Sequence, residues 1–163
     1  MKTIVCDASP LIFLAKINGL NLISEVLEGE IFILKTIVNE VCSETAGEIE
    51  LMRIHRFLKS VTVIDSSDPN YPSLSLSEND RSVLNWSIKN KVDWLVADEK
   101  LLRRIAKEEG LNVVGIFGIL IAAKQQKLRT LEETKSMIDD LVSKHDCRMS
   151  IALYQKVLNA IEE

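Results

Sequence analysis

The sequence predicts an α/β fold in which a central, mainly parallel sheet carries helices on both faces. Short apolar runs rich in β-branched residues alternate with longer amphipathic segments along most of the chain, and this alternation is typical of parallel strands joined by helices. The chain has 163 residues, of which 47% are apolar, and this favours one well-packed domain. We therefore expect residues 1–163 to form one domain of three layers, α/β/α, with a C-terminal helical extension at about 131–163.

The first half of the chain supplies three of the expected strands. These lie at residues 3–6, 31–34 and 61–64, and the helices are expected at 10–17, 20–27, 36–44 and 47–59. Pro10 suits the first turn of a helix, where its missing N–H leaves no bond unmade. Asn18-Gly19 is expected to end the first helix and Gly29 to end the second. Thr36 is expected to cap the start of the third helix.

The second half begins with a loop and continues with alternating helices and strands. Residues 65–79 are rich in Ser and Pro, which predicts a loop that is too short to link two domains. The expected strands then lie at 93–98 and 111–115, and the expected helices at 80–90, 99–110, 116–126, 131–144 and 150–161. The helix at 116–126 is apolar almost all round, so we expect it to be buried.

Composition and charge exclude several classes of protein. With 20 basic and 24 acidic residues the net charge is −4, so any nucleic-acid binding must rest on a local basic patch. Cys6, Cys42 and Cys147 are far apart and odd in number, which favours free thiols in a reducing compartment and argues against a zinc site. Because no apolar run approaches about 18 residues and the first residues do not resemble a signal peptide, we expect a cytoplasmic protein without membrane contact.

Four acidic residues are predicted to meet at one edge of the sheet. In parallel α/β sheets the working site lies beyond the carboxyl ends of the strands. Asp7 directly follows the first strand, and Asp98 ends a later strand, with Glu99 beside it. Glu40 lies one turn into the helix after the second strand, and Asp80 begins the helix that precedes the strand of Asp98.

Helix geometry indicates which of these acids point towards the sheet. Apolar residues follow Asp80 by three and four positions, so Asp80 continues the stripe that packs on the sheet. Glu78 lies about 200° around the same helix and is expected to point outwards. Glu40 follows the apolar residue Ile37 by three positions, which places it on or beside an apolar stripe of its own helix.

Four carboxylates at one edge would repel one another, at a cost of about 3 kcal/mol for each pair about 5 Å apart. A hard divalent cation would neutralise them, and oxygen ligands of this kind suit Mg²⁺ or Mn²⁺. Each helix-associated acid also has an ordinary structural alternative. Asp98 could be the N-cap of the helix that follows it. Asp80 could be the capping-box partner of Ser77, and Glu40 could be a solvated helix residue.

Three segments and the C-terminal tail of the chain carry a resemblance to a known family. The segments read IVCDASPLIFLAKI, IFILKTIVNEV and LSENDRSVLNWSIKNKVDWLVADEKLLRRIAKEEGLNVVGIFGIL, and the tail reads LVSKHDCRMSIALYQKVLNAI. Together they resemble PIN-domain proteins, the family of VapC-type toxin ribonucleases, and in particular a subfamily of small prokaryotic PIN-like proteins associated with nucleic-acid binding. No single motif is highly specific, whereas the ordered set of four acids is.

The resemblance implies a divalent-metal-dependent endoribonuclease that acts on RNA, is often a homodimer and is often paired with a small antitoxin protein. By motif position, four residues would act in catalysis and bind Mg²⁺ or Mn²⁺: Asp7, Glu40, Asp80 and Asp98. Ser9 and Glu99 would support the site. The chain departs from the subfamily at Asn79-Asp80, where Gly-Glu is usual, and at Ala97, where Thr or Ser is common.

Three basic residues follow the fourth acid on one expected helix: Lys100, Arg103 and Arg104. They could contact RNA phosphates at the mouth of the site, although a solvated basic face or direct neutralisation of the carboxylates explains them equally well. Two other functions stay open. A catalytically inactive PIN-like module would bind RNA or a partner protein and keep the acids as remnants. A phosphoacceptor receiver domain also gathers acids at strand ends, but it requires a Lys after a late strand, and residues 112–118 contain none.

Overall fold

A computed structural model describes residues 1–65 and 68–163 of the chain. Its strands, in chain order, are β1 (Lys2–Cys6), β2 (Gly29–Leu34), β3 (Thr62–Ile64), β4 (Trp94–Val96) and β5 (Val113–Val114). They form one sheet with the order β3-β2-β1-β4-β5. Every neighbouring pair is parallel. The predicted α/β/α fold is therefore confirmed, with a sheet that is parallel throughout.

Helices connect the strands and pack against the sheet. In the described part of the chain they are α1 (Ala8–Lys16), α2 (Leu22–Leu27), α3 (Lys35–Glu44), α4 (Glu48–Leu58), α5 (Glu78–Lys89), α6 (Lys100–Glu108), α7 (Ile116–Gln125), α8 (Leu131–Ser143) and α9 (Ile151–Glu162). The predicted loop at 65–79 extends two residues too far, because α5 begins at Glu78. Residues 66 and 67 of that prediction lie outside the described residues.

The sheet is built around β1, which is covered on both faces. Ile4, Val5 and Cys6 have no exposed surface, as expected for the middle strand of a parallel sheet that helices cover on both sides. Ile4 is in register with Ile31 of β2 and with Trp94 of β4. Because both neighbours of β1 are parallel to it, the residues that follow these strands emerge at one edge.

Two of the wrong helix boundaries lie next to β2. The helix cap before β2 is Glu28, which adopts a left-handed conformation with φ 54°. Gly29 belongs to β2, where a Cβ would lie 2.5 Å from the carbonyl oxygen of Lys2, so this glycine lets the two strands approach. Helix α3 starts directly after β2, so its N-cap is Leu34 and not Thr36.

The two C-terminal helices lie where the extension is predicted. Thr130 and Glu133 form a capping box at the start of α8, and the Ser150 hydroxyl accepts the N–H of Leu153 at the start of α9. Both helices pack against α7, whose residues Ile119 and Leu120 have no exposed surface. The predicted burial of this apolar helix is therefore confirmed along the side that α8 and α9 cover.

Among the helices of residues 1–65 and 68–163, none combines the length and the apolar character that crossing a membrane requires.

Truncation of Leu95 is expected to destabilise the fold strongly. Leu95 lies in the middle of β4, in register with Val5 and Val113, and has no exposed surface. Leu95→Ala removes buried methyl groups and leaves a cavity, so the free energy of unfolding should fall by about 3 kcal/mol. Leu74→Ala is the matched control because Leu74 is 95% exposed, and it should change that free energy by less than about 0.5 kcal/mol. Urea unfolding followed by circular dichroism measures both.

Candidate active site

Asp7 and Asp98 lie side by side because their strands are neighbours. Asp7 directly follows β1, and Asp98 follows β4 by two residues. The backbone N–H of Asp7 donates to the carbonyl oxygen of Val96 at 2.9 Å, which continues the ladder between the strands for one residue beyond the end of β1. The prediction that these two residues emerge at the same edge of the sheet therefore agrees with their positions.

Asp7 is the most deeply buried of the four acids, with 5% of its surface exposed. It occupies the N-cap position of α1, but its side chain makes no capping hydrogen bond. Burial, together with the negative charges of Asp80, Glu40 and Asp98, raises the pKa of Asp7 to about 8, although the backbone N–H of Ala8 partly opposes the shift. An ionised carboxylate is costly here because it is both desolvated and surrounded by like charges.

Asp80 reaches the same cluster from the first turn of α5. Its backbone N–H donates to the Ser77 hydroxyl at 3.1 Å, so the Ser77 cap predicted as an alternative exists. The side chain of Asp80 nevertheless interacts with Asp7. Burial raises the pKa of Asp80, followed by the charges of Glu99 and Glu40, while contacts with Ser77 and Asp7 lower it. Asp80 therefore does both: its backbone N–H binds the Ser77 cap, and its side chain belongs to the acidic cluster.

Glu40 is half-buried on α3 and is held by a residue that the sequence did not single out. The side-chain amide of Asn79 donates to Glu40 Oε1 at 2.8 Å. Asn79 directly precedes Asp80, so one turn of α5 supplies an acid to the cluster and a donor that orients another acid. The sequence shows Asn79 where the similar PIN-like subfamily usually has Gly, but this difference alone does not predict a hydrogen bond to Glu40.

The alternative role of Asp98, as the N-cap of α6, is wrong. The N-cap of α6 is Glu99, whose Oε2 accepts the N–H of Leu102 at 2.6 Å. Asp98 Oδ1 instead accepts the N–H of Ile116 at 3.0 Å. Asp98 Oδ2 is buried and has no hydrogen-bond partner among the described residues. Burial raises the pKa of Asp98, whereas the Ile116 N–H and the charge of Arg103 lower it.

Gly115 and Arg103 fix the surroundings of Asp98. A Cβ on Gly115 would lie 2.6 Å from Asp98 Oδ1 and 2.5 Å from Arg103 Nη1, so only glycine leaves room for both groups. Arg103 Nη1 donates to the carbonyl oxygen of Ala97 at 2.9 Å. Sequence reasoning missed Gly115, because its importance depends on a contact between residues 17 positions apart that no local pattern records.

The remaining predicted residues lie around this cluster. Ser9 is half-buried in the first turn of α1, two residues after Asp7. Lys100 and Arg104 are exposed on α6, and Arg104 Nε lies 4.0 Å from Glu108 Oε1 on the same helix. Glu78 is exposed, as expected for its outward position. The supporting role of Ser9 and the RNA contacts of the basic residues stay predictions.

The chemistry of the cluster fits a hard divalent cation. Four carboxylates supply oxygen ligands of the kind that Mg²⁺ and Mn²⁺ prefer, and the orphaned Asp98 Oδ2 lacks the partner that a buried oxygen requires. Within the described ranges, no three Asp, Glu, His or Cys side chains already surround a common point as a ligand set. The residues that would hold an ion are Asp7, Asp80, Asp98 and Glu40.

The sheet and its acidic edge define a class of protein, namely α/β proteins that gather carboxylates beyond the carboxyl ends of a parallel sheet. Residues 3–163 match the family DUF3368, described as a PIN domain. The chain therefore belongs to the PIN-domain family, whose members are generally nucleases and typically use divalent metals. Comparison with curated proteins gave no match.

A solved structure with a similar fold is that of a PilT N-terminus domain protein, SSO1118, from the hyperthermophilic archaeon Sulfolobus solfataricus P2. The TM-score is 0.53 and the identity 15%, and the alignment covers 74% of this chain and 92% of that chain. At this identity the likeness shows the fold alone.

Proposed function

We propose that this protein is a divalent-metal-dependent endoribonuclease, and that it acts as the VapC-like toxin of a toxin–antitoxin pair. The observation that carries the proposal is the convergence of Asp7, Glu40, Asp80 and Asp98 at one buried edge of the sheet. Four carboxylates that repel one another are a poor way to stabilise a fold. Membership of the PIN-domain family supports a nuclease.

The four acids would hold Mg²⁺ or Mn²⁺, and several neighbours would keep them in place. When bound, such an ion lowers the pKa of a coordinated water and stabilises charge on a phosphate. To hold the ion, Asp7 would have to release to solvent the proton that its raised pKa retains near neutral pH. Asn79 orients Glu40, and the Ile116 N–H orients Asp98. These contacts limit the movement of the ligands, which favours in-line attack by water on an RNA phosphodiester.

Asp98→Asn is expected to lower RNA cleavage more than about 100-fold, because it removes a charged ligand from the metal site. The substrate is a mixed pool of single-stranded RNA, incubated with and without Mn²⁺. Glu78→Gln is the matched control, since Glu78 is an exposed acid on α5 that points away from the cluster, and it should cleave like the wild type. Cleavage that is the same in EDTA, or the same in Asp98→Asn, would contradict the proposal.

A second candidate is a catalytically inactive PIN-like module that binds RNA or a partner protein. One observation favours it: among the described residues, no three potential ligands are already arranged around a common point. A module of this kind would bind RNA in EDTA and leave it intact when millimolar Mn²⁺ is added. The nuclease would cleave the same RNA, so one experiment separates the two functions.

The partners of the proposed toxin follow from the same family. We infer a small antitoxin protein and a homodimer, both of which the PIN-domain resemblance implies. Size-exclusion chromatography with light scattering measures the mass directly, and a mass equal to one chain of 18.4 kDa would rule out the homodimer. A small protein encoded beside this chain that blocks RNA cleavage would identify the antitoxin.

A further inference from the structure

A groove with a volume of about 820 Å³ opens next to the acidic cluster. Its lining comes from the start of α6, from β5 and the first turns of α7, and from residues 146–148 and α9. Asp98 belongs both to the acidic cluster and to the lining of this groove. We call it the C-terminal groove, because the C-terminal extension supplies part of its lining. A ligand in it would lie directly beside the proposed site of cleavage.

The groove is basic in a protein that is acidic as a whole. Its lining contains four basic side chains and two acidic ones, Asp98 and Asp146, whereas the net charge of the chain is −4. One of the acids, Asp98, is a proposed metal ligand. The basic residues are Lys100, Arg103, Arg148 and Lys156. These four residues form the local basic patch that an acidic protein needs in order to bind nucleic acid.

Three of the four basic side chains are placed so that they can bind an anionic ligand. Lys100, Arg148 and Lys156 are exposed, and none of them takes part in the ion pairs formed within residues 1–65 and 68–163. Arg103 differs because it is half-buried and bonded to the carbonyl oxygen of Ala97. Arg104, the remaining basic residue predicted to bind RNA, does not line the groove.

The lining of the groove also contains apolar side chains, two of which are aromatic. Phe117 and Phe13 line it together with Leu153 and Val157 of α9. Phe117 lies in the first turn of α7, two residues beyond Gly115, and is half-buried. An aromatic surface with basic residues around it suits single-stranded nucleic acid, whose bases stack on rings while its phosphates bind cations.

We propose that the C-terminal groove binds the unpaired RNA segment next to the scissile phosphate. A base stacks on Phe117, and the flanking phosphates bind Lys100, Arg148 and Lys156. This inference rests on the proposed function for the position of the scissile phosphate. The excess of basic side chains in the groove favours RNA over a peptide that carries few acidic residues. Because Arg148 and Lys156 belong to the C-terminal extension, the proposal gives this extension a role in substrate binding.

Binding is tested in EDTA, so that the result does not depend on cleavage. The probe is a fluorescent single-stranded RNA of about 12 nucleotides, followed by anisotropy at several salt concentrations. The double variant Arg148→Ala/Lys156→Ala should bind about tenfold more weakly than the wild type. Two lost phosphate contacts should also lower the slope of log K against log salt by about 1.4. The matched control, Lys59→Ala/Lys135→Ala, removes two exposed charges outside the groove and should leave most of the affinity and slope intact.

Phe117→Leu tests the aromatic side chain in the lining of the groove while keeping apolar bulk. It should lower the affinity for RNA about fivefold, because a base loses its stacking surface, and should leave the salt slope unchanged. Equal affinity of the wild type, the double variant and Phe117→Leu for RNA would overturn the proposal and leave the groove to a protein segment. If the groove variants bind RNA weakly but the wild type never cleaves it with Mn²⁺, the groove assignment stands and the nuclease function fails.

Discussion

Asp7→Asn is expected to abolish metal-dependent RNA cleavage and, at the same time, to stabilise the metal-free protein. The loss of cleavage should exceed about 100-fold, because Asp7 is a proposed metal ligand whose charge interacts with all three of the other acids. The gain in stability has the same origin. An ionised carboxylate at this buried position is repelled by its neighbours, and asparagine has nearly the same shape without the charge.

The pH dependence of this gain follows from the pKa of Asp7. Its pKa is about 8 in the folded chain, against 3.8 for an ordinary aspartate. Between these values the folded state holds a proton that the unfolded state has lost, so the free energy of unfolding falls as the pH rises. The penalty is absent below about pH 4, grows through this window and is complete above about pH 8. Asp7→Asn should therefore gain on the order of 2–4 kcal/mol at pH 8 and little at pH 4.

Urea unfolding at pH 4, 6 and 8 in EDTA measures the stability, and cleavage of the RNA pool with Mn²⁺ measures the activity. Glu78→Gln again serves as the control, because it removes an exposed acid from the first turn of α5. It should change the stability and the cleavage activity little. Wild-type cleavage by Asp7→Asn would contradict its role as a ligand. A stability that is lower than that of the wild type at pH 8 would contradict the like-charge account of the cluster.

Gly115→Ala is expected to lower cleavage about 10- to 100-fold although it adds only one methyl group. The new Cβ would lie within 2.6 Å of Asp98 Oδ1 and 2.5 Å of Arg103 Nη1, so Asp98 must leave its place in the cluster. The clash should also cost about 1–3 kcal/mol of unfolding free energy. Cleavage kinetics and urea unfolding measure the two effects separately.

Gly110→Ala is the matched control for this methyl group. Gly110 follows α6 with φ +85°, and a Cβ there meets no atom within 4 Å. The substitution should cost about 1 kcal/mol through its backbone conformation alone and should leave cleavage unchanged. If Gly110→Ala lowered cleavage as much as Gly115→Ala, general destabilisation and not the position of Asp98 would explain the effect.

The sequence was sufficient to predict the strands and the approximate positions of the acids. Short β-branched runs predict β1 and β4, and the residues after parallel strands must meet at one edge. Helix periodicity predicted that Asp80 points inwards and Glu78 outwards, and the exposure of Glu78 agrees. These inferences succeed because they use contacts between near neighbours in sequence or the fixed geometry of a sheet.

The parts that the sequence could not predict depend on contacts between distant residues. The cap of α6 was assigned to Asp98 as an alternative, but the cap is Glu99, since two adjacent acids fit the same local pattern. The Asn79–Glu40 hydrogen bond joins α5 to α3. Arg148 and Lys156 reach the groove only because the extension packs on α7, and no periodicity in residues 131–163 specifies that packing.

The most direct test of the proposed metal site is calorimetric titration of the metal-free protein with Mn²⁺ at pH 7. Measurements in two buffers of different ionisation enthalpy count the protons released. We predict binding in the submillimolar range with release of about one proton, because Asp7 must ionise to bind the ion. Asp7→Asn should release about one proton fewer than the wild type. An absence of binding heat up to several millimolar Mn²⁺ would contradict the metal site and, with it, the proposed nuclease mechanism.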